Sequence, residues 1–247
     1  MSNEAKRHRV LLAGPAVFRW HCMWSEFQAS RQRLLSVELF PMRRIARSTF
    51  LFAFAMLMGL TTLVADEHSR LKIGDPVPGW KQLAGIDDKQ HSLDDLKDKA
   101  VVVVCFTCNS CLYSVDYEDR LTALHKKYEN HPAGVAVVAI NSNRKPSETL
   151  EKMKERAHSK QFSFPYLIDE TQAVASSFGA VYTPEFFVLN KDRKVVFIGA
   201  MDDKTDSEQV TVRYVELAVE ASLNDTLPET TEVPVRGCAI PYKRNRK

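Results

Sequence analysis

The chain has 247 residues, of which 45% are hydrophobic, enough for one sizeable domain with additional segments. Its formal net charge is +3, but the first 65 residues hold nine Lys and Arg against three Asp and Glu, which leaves 25 basic and 28 acidic residues in the remainder. The basic character therefore belongs to the N-terminal segment, and the remainder lacks the positive charge of a nucleic-acid-binding domain.

Residues 42–65 have the pattern of a secretory signal peptide. Arg43, Arg44 and Arg47 precede an apolar run at 50–60, and small or polar residues lead to Ala65, after which we place the cleavage site. The pattern predicts an exported protein, in the periplasm or another extracytoplasmic space. The alternative is an uncleaved membrane anchor through residues 50–65, although the apolar run is short for a spanning helix.

Residues 1–41 precede this signal and do not fit it, because a signal peptide begins within a few residues of its charged region. Met42 stands directly before Arg43 and Arg44. We therefore interpret Met42 as the true start and residues 1–41 as an over-extended N-terminus.

Beyond the signal, strands and helices alternate along the chain. Residues 66–99 form a lead-in whose prolines exclude a helix at 73–80 and whose continuation predicts short strands at 81–92. The predicted strands that follow are 100–106, 135–140, 164–168, 185–189 and 194–198, and the predicted helices are 112–130, 146–160, 171–178 and 208–223. This order predicts an α/β fold with a central mixed sheet flanked by helices, because the last two strands read as a hairpin.

Two cysteines follow the first apolar strand. Cys108 and Cys111 are separated by two residues, and a helix is predicted to begin directly after them. This spacing allows a disulfide to form, and the N-terminus of a helix stabilises a thiolate. A redox-active dithiol is therefore favoured over two inert thiols or half of a zinc site.

The order of strand, C-x-x-C, helix, βα units and terminal hairpin resembles the thioredoxin superfamily. Thr183 and Pro184, directly before the strand at 185–189, form a second landmark of that resemblance. The long lead-in and the hairpin look closest to the exported thioredoxin-like and peroxiredoxin-like branch, the redoxins. We expect the thioredoxin-like domain to span residues 66–225, followed by a C-terminal tail at 226–247.

The resemblance implies a role for each of these residues. Cys108 is expected to be the exposed nucleophile, and Cys111 to resolve the mixed disulfide formed with a substrate. Thr183–Pro184 is expected to be a cis peptide that faces Cys108 and leaves the preceding backbone free to pair with a substrate strand. The implied reaction is thiol–disulfide exchange with exported proteins, with an upstream redox partner that recharges the dithiol and no metal or organic cofactor.

Three departures from thioredoxin leave the direction of electron flow open. The residues between the cysteines are Asn109 and Ser110, no Trp precedes Cys108, and no acidic residue lies in the strand at 100–106. The dipeptide between the cysteines tunes the stability of the thiolate, so neither an oxidant nor a reductant is predicted.

Three other functions remain as alternatives. A peroxiredoxin-like thiol peroxidase would need a Thr three residues before its reactive cysteine, and Cys108 occupies that position before Cys111. A copper chaperone on the same fold would need C-x-x-x-C, one residue longer than the spacing here. A non-catalytic binding module would leave the dithiol unexplained.

Three further cysteines have no assigned role, and the first of them, Cys22, lies in the segment at 1–41. Cys105 gives C-x-x-C-x-x-C spacing with the dithiol, but the fourth cysteine of an iron–sulfur motif does not follow, and we expect Cys105 to be buried in the core. Cys238 lies in the predicted tail, either as a second resolving thiol or as an unpaired or intermolecular one. The charged run at 148–156 is interpreted as a solvated helix face.

Overall fold

The computed structural model describes residues 70–243. The predicted signal peptide, the preceding segment and Cys22 lie outside these residues. The strands are β1 Leu83–Gly85, β2 Gln90–His91, β3 Val101–Phe106, β4 Val135–Asn141, β5 Tyr166–Ile168, β6 Tyr182–Thr183, β7 Glu185–Leu189, β8 Val195–Gly199 and β9 Cys238–Ala239. The α-helices are α1 Leu112–Tyr128, α2 Leu150–Lys160, α3 Ala173–Phe178 and α4 Tyr214–Leu223.

Seven of these strands form one mixed sheet, in the order β2-β1-β5-β4-β3-β7-β8. β3, β4 and β5 run parallel, whereas β7 pairs antiparallel with both β3 and β8. The predicted central mixed sheet and late hairpin are therefore confirmed. The most apolar strand, β3, lies inside the sheet, where both of its faces are covered.

Side chains of β3 alternate between two hydrophobic layers. Val103 and Cys105 belong to the layer that packs under α1, α2 and α4, and Val104 and Phe106 belong to the layer that packs under α3 and the N-terminal lead-in. This alternation follows from the two-residue repeat of a strand. It also places the end of β3, and with it the C-x-x-C segment, at the edge of the core where α1 begins.

Two predicted helices are shorter than expected. The helix predicted at 146–160 is divided, since Pro146–Glu148 forms a 3-10 turn and Thr149, with extended backbone, accepts a hydrogen bond from Lys152 N as the N-cap of α2. The helix predicted at 208–223 is likewise divided into a 3-10 turn and α4. Within residues 70–243 no helix is both long and apolar enough to cross a membrane.

The C-terminal segment returns to the domain. Glu232 bridges to Ile198 of β8, and β9 then pairs antiparallel with β6 in a separate two-stranded sheet. Ile240, which follows β9, is buried in the layer under α3. The part of the predicted tail that the structure describes is thus packed on the fold, next to the C-x-x-C segment.

Candidate active site

The C-x-x-C segment connects β3 to α1. Cys108 lies two residues after the end of β3, and Cys111 is the N-cap residue of α1, with an extended backbone. The predicted transition from a buried strand through the dithiol into a helix is confirmed. Cys111 therefore stands at the positive end of the helix dipole.

The segment before β7 faces this dithiol. The Thr183–Pro184 peptide is cis, as expected from the resemblance. Glu185, which is fully buried, accepts hydrogen bonds from the backbone N–H groups of Val181 and Tyr182 and pairs with Arg70 at 2.7 Å. This buried carboxylate holds the backbone of β6 in place against the two cysteines.

Thr183 contacts both cysteines of the pair. Its hydroxyl oxygen lies 3.5 Å from Cys108 Sγ, and its carbonyl oxygen lies 3.0 Å from Cys111 Sγ. The same hydroxyl donates to the Cys238 carbonyl oxygen at 3.3 Å.

Both cysteines of the dithiol are buried. Cys108 is 2% exposed and Cys111 is 1% exposed. The expectation of an exposed Cys108 is therefore wrong for this conformation, because Thr183 and the polar side chain of Asn143 cover its sulfur, the latter at 3.6 Å.

The two thiols have opposite pKa shifts. The thiol of Cys108, by its hydrogen bond, lowers the pKa of Cys111, and the Cys238 thiol and the Ser114 backbone N–H act in the same direction against the effect of burial. The pKa of Cys108 is raised by its hydrogen bond to Cys111, by burial and by the negative charge of Glu148. The first proton is therefore lost from the pair at a lower pH than from an isolated thiol, and before ionisation the Cys111 thiol donates to the Thr183 carbonyl oxygen.

A buried carboxylate supports the C-x-x-C backbone. Glu148 is 1% exposed and accepts hydrogen bonds from the backbone N–H of Asn109 at 2.8 Å and of Ser110 at 2.9 Å. The amide of Asn141 donates to the same carboxylate at 2.8 Å. Glu148 thus satisfies the two backbone donors between the cysteines and places a negative charge beside Cys108.

Other polar side chains extend this arrangement. The Tyr166 hydroxyl donates to Asn109 Oδ1 at 3.1 Å, and burial raises the pKa of that hydroxyl well above its usual range. Asn141 Oδ1 accepts from the backbone N–H of Asn143, whose side chain reaches Cys108. We refer to Asn109, Asn141, Asn143, Glu148 and Tyr166 as the polar network.

The sequence did not single out the polar network. Glu148 in particular falls in the run interpreted as a solvated helix face, and that interpretation is wrong for this residue. Its burial follows from the break at Thr149, because the preceding 3-10 turn carries Glu148 inward while Glu151 and Glu155 stay on the exposed face of α2. Thr149 was the available signal that a new helix begins at this point, because threonine is favoured at the N-cap.

The C-terminal strand covers the edge that the resemblance had left free for a substrate. In β9, Cys238 is the register partner of Thr183 and Ala239 that of Tyr182, and Ile240 N donates to Val181 O at 2.8 Å. Thr183 is consequently only 3% exposed. The backbone edge before Pro184 is therefore occupied by the protein's own chain.

The remaining two cysteines have contrasting surroundings. Cys105 is 1% exposed within the layer under α1, as expected, and burial raises its pKa. Cys238 is exposed, and its thiol neighbours Cys111. Among residues 70–243 no group of three or more His, Cys, Asp and Glu side chains is arranged to hold a metal ion.

Comparisons with known proteins show what this chain is similar to. Thiol-disulfide oxidoreductase ResA of Geobacillus thermodenitrificans is 25% identical over 173 residues, which cover 68% of this chain and 93% of that protein. A crystal structure of a hypothetical protein from Sinorhizobium meliloti 1021 has a TM-score of 0.66 and 31% identity, and covers 72% of this chain and 98% of its own. An uncharacterized conserved protein from Geobacillus kaustophilus has the same TM-score, 32% identity, and covers 72% and 96%.

These comparisons confirm the predicted fold, the redoxin branch and the predicted enzyme class, an oxidoreductase. The model of the AhpC/TSA family matches residues 73–198, which include β3, both cysteines of the dithiol, the polar network and the cis-proline segment. The chain belongs to the AhpC/TSA family of the thioredoxin superfamily.

Proposed function

We propose that the protein performs thiol–disulfide exchange through Cys108 and Cys111. One observation carries the proposal: both sulfurs contact the same residue, Thr183, directly before the cis proline. A C-x-x-C pair at the N-terminus of a helix closes into a disulfide, and the thiolate that starts each exchange is stabilised there. A redox partner then restores the starting state of the dithiol.

The surface around the dithiol supports a protein as the substrate. Six large apolar side chains are exposed among residues 70–243, and four of them lie beside the site. Leu112 and Tyr113 directly follow Cys111, and Val181 and Tyr182 directly precede Thr183. Exposed apolar surface of this kind is typical of protein–protein contact. It therefore favours protein thiols and disulfides over small molecules as the substrates.

The peroxidase alternative has less support. The backbone N–H groups of Asn109 and Ser110, the donors between the two cysteines, are both bonded to Glu148 and are not free for a peroxide. The copper alternative likewise has no donor cluster to support it within the described residues.

The proposal is tested by the reduction potential of the dithiol. The full chain is equilibrated in graded redox buffers, the free thiols are trapped, and the state of Cys108 and Cys111 is read by mass spectrometry. We expect one reversible two-electron transition. A potential near about −270 mV would identify a reductant and one near about −120 mV an oxidant, whereas no transition at any poise would overturn the proposal.

The order of attack needs a separate experiment. The resemblance predicts that Cys108 attacks first, whereas the thiol whose pKa is lowered is Cys111. A variant that lacks the resolving cysteine accumulates a mixed disulfide with its substrate, because the release step is missing. Accumulation in Cys111→Ser would support the predicted order, and accumulation in Cys108→Ser would reverse it.

We also propose that the protein acts outside the cytoplasm. The basic, apolar and small-residue pattern of residues 42–65 supports export, with retention at the membrane if that segment is not cleaved. N-terminal sequencing of the protein from fractionated cells tests this, and we expect mature chains that begin at residue 66 in the exported fraction.

A further inference from the structure

The dithiol is enclosed, but a third thiol connects it to the surface. Cys108 and Cys111 are almost fully buried, whereas Cys238 is exposed and its thiol neighbours that of Cys111. In the proposed reaction a partner protein must reach a sulfur of the pair. The position of Cys238 offers a path that does not require β9 to leave the cis-proline edge.

Backbone pairing fixes the position of Cys238. Cys238 is the register partner of Thr183, whose carbonyl oxygen contacts Cys111 Sγ and whose hydroxyl donates to the Cys238 carbonyl oxygen. Gly237 makes this close approach possible, because a Cβ atom at that position would lie 2.4 Å from Thr183 O. Cys111 and Cys238 thus both contact Thr183.

The docking of β9 is also supported by the residues that follow it. Ile240 is buried in the layer under α3, the Gln172 side chain donates to the Pro241 carbonyl oxygen at 3.1 Å, and Lys243 N donates back to Gln172 at 3.0 Å. These contacts hold β9, and with it Cys238, against the site.

We propose that Cys238 is the third redox cysteine of this protein and transfers the disulfide between the buried pair and an external protein dithiol or disulfide. The inference rests on the proposed function. The Cys238 thiolate attacks Cys111 Sγ of the Cys108–Cys111 disulfide. A Cys111–Cys238 disulfide forms, the Cys108–Cys111 bond breaks, and Cys108 leaves as a thiolate that takes up a proton. The step exchanges one disulfide for another and needs no additional oxidant.

An external dithiol protein completes the transfer at the exposed sulfur. Its thiolate attacks Cys238 Sγ, which releases the Cys111 thiolate and forms a mixed disulfide. The second thiol of that protein resolves the mixed disulfide and releases Cys238, so two electrons pass from the partner to this chain. The same sequence in reverse oxidises a partner, consistent with either direction of electron flow.

The ionisation of Cys238 suits this order of exchange steps. In the reduced site the hydrogen bond to Cys111 is the main cause that raises the pKa of Cys238. When Cys111 is tied in the disulfide with Cys108, that cause is removed, and the backbone N–H of Leu112 remains to stabilise a Cys238 thiolate. The attacking thiol is therefore favoured in the state in which it is needed.

Disulfide mapping of the full chain tests the relay. The reduced protein receives one molar equivalent of diamide, is quenched in acid, blocked with N-ethylmaleimide and digested with pepsin at acid pH, and the linked peptides are identified by mass spectrometry. We expect both Cys108–Cys111 and Cys111–Cys238 linkages in the unaltered protein. Cys108→Ser should carry Cys111–Cys238 as its main intramolecular linkage. In Gly237→Ala the yield of the Cys111–Cys238 linkage should fall at least about tenfold.

The rate of exchange provides the second readout. Reduced thioredoxin serves as the probe dithiol protein and is mixed with the oxidised chain. We expect Cys238→Ser to slow reduction at least about tenfold, and the matched control Cys105→Ser to leave the rate unchanged. Absence of every Cys238 linkage, together with an unchanged rate in Cys238→Ser, would overturn the relay and leave the proposed function intact. Absence of the Cys108–Cys111 disulfide would instead overturn the proposed function.

Discussion

The two sides of the dithiol are built differently. On the Cys108 side, the polar network surrounds the sulfur, and the Glu148 carboxylate of that network is 1% exposed. On the Cys111 side, the sulfur meets only the edge of β6, which is covered by β9 and its exposed Cys238. The Cys108 side is a buried hydrogen-bond network, and the Cys111 side is a pairing of two strands of two residues each.

This difference separates two requirements of an exchange site. A buried network that is fully hydrogen-bonded holds the C-x-x-C backbone in one geometry and fixes the charge beside Cys108. A short strand pairing at the surface opens at a lower free energy than the core, so the geometry on the Cys111 side is held less firmly than that on the Cys108 side.

The largest effect is expected at Glu148. Glu148→Ala removes the acceptor for the Asn109 and Ser110 backbone N–H groups and the Asn141 amide, and leaves these buried donors unsatisfied. We expect a loss of about 3 kcal/mol in the free energy of unfolding, measured by urea denaturation. The control is Glu155→Ala, because Glu155 makes an exposed pair with Lys152, and its loss should stay within about 0.5 kcal/mol. Equal losses would show that the network does not support the fold.

A smaller and more local effect is expected on the β9 side. Ile240→Ala removes buried contacts in the layer under α3, and we expect about 2 kcal/mol of lost docking energy. Hydrogen exchange of the backbone N–H of residue 240, which donates to Val181 O, should become roughly 30-fold faster, while exchange in β3 changes much less. The control is Leu227→Ala, since Leu227 is exposed. Equal acceleration in β3 would mean that β9 opens only with the whole domain.

The ionisation of Cys111 distinguishes the two sides chemically. Because its pKa is lowered, the reduced protein should keep a thiolate at a pH below the ordinary value for cysteine, visible in the ultraviolet absorbance of the thiolate. Cys108→Ala removes the largest cause and should raise the pKa of Cys111, and Cys238→Ala should raise it less. A tenfold change in the acid dissociation constant of this thiol corresponds to about 1.4 kcal/mol. Cys105→Ala should leave the titration unchanged, and the reverse order of the two variants would contradict the assignment.

The smallest effect is expected at Cys105. It belongs to the layer under α1, and burial raises the pKa of its thiol. Cys105→Ala should cost about 1 kcal/mol in the free energy of unfolding, for the loss of a small buried side chain, and should leave the reduction potential of the dithiol unchanged. A shift of that potential would place Cys105 in the redox machinery, against the prediction.

The elements that carry the dithiol follow from short stretches of sequence. The apolar run at 100–106 becomes β3, and the C-x-x-C spacing with the helical stripe after it places Cys111 at the N-cap of α1. These features depend on side-chain period and on local capping, which neighbouring residues determine. The cis Thr183–Pro184 peptide came from the resemblance of the whole order of elements to a known fold.

The sequence by itself determined that a strand, a dithiol and a helix follow one another, and that a mixed α/β sheet surrounds them. Only the tertiary structure decided which polar groups meet the dithiol. Glu148 became a buried partner of Asn109 because a break at Thr149 turns it inward, and Cys238 became a neighbour of Cys111 because β9 pairs with β6 across 55 residues of chain. Such contacts depend on long-range packing and the burial of charge, which no local pattern of residues records.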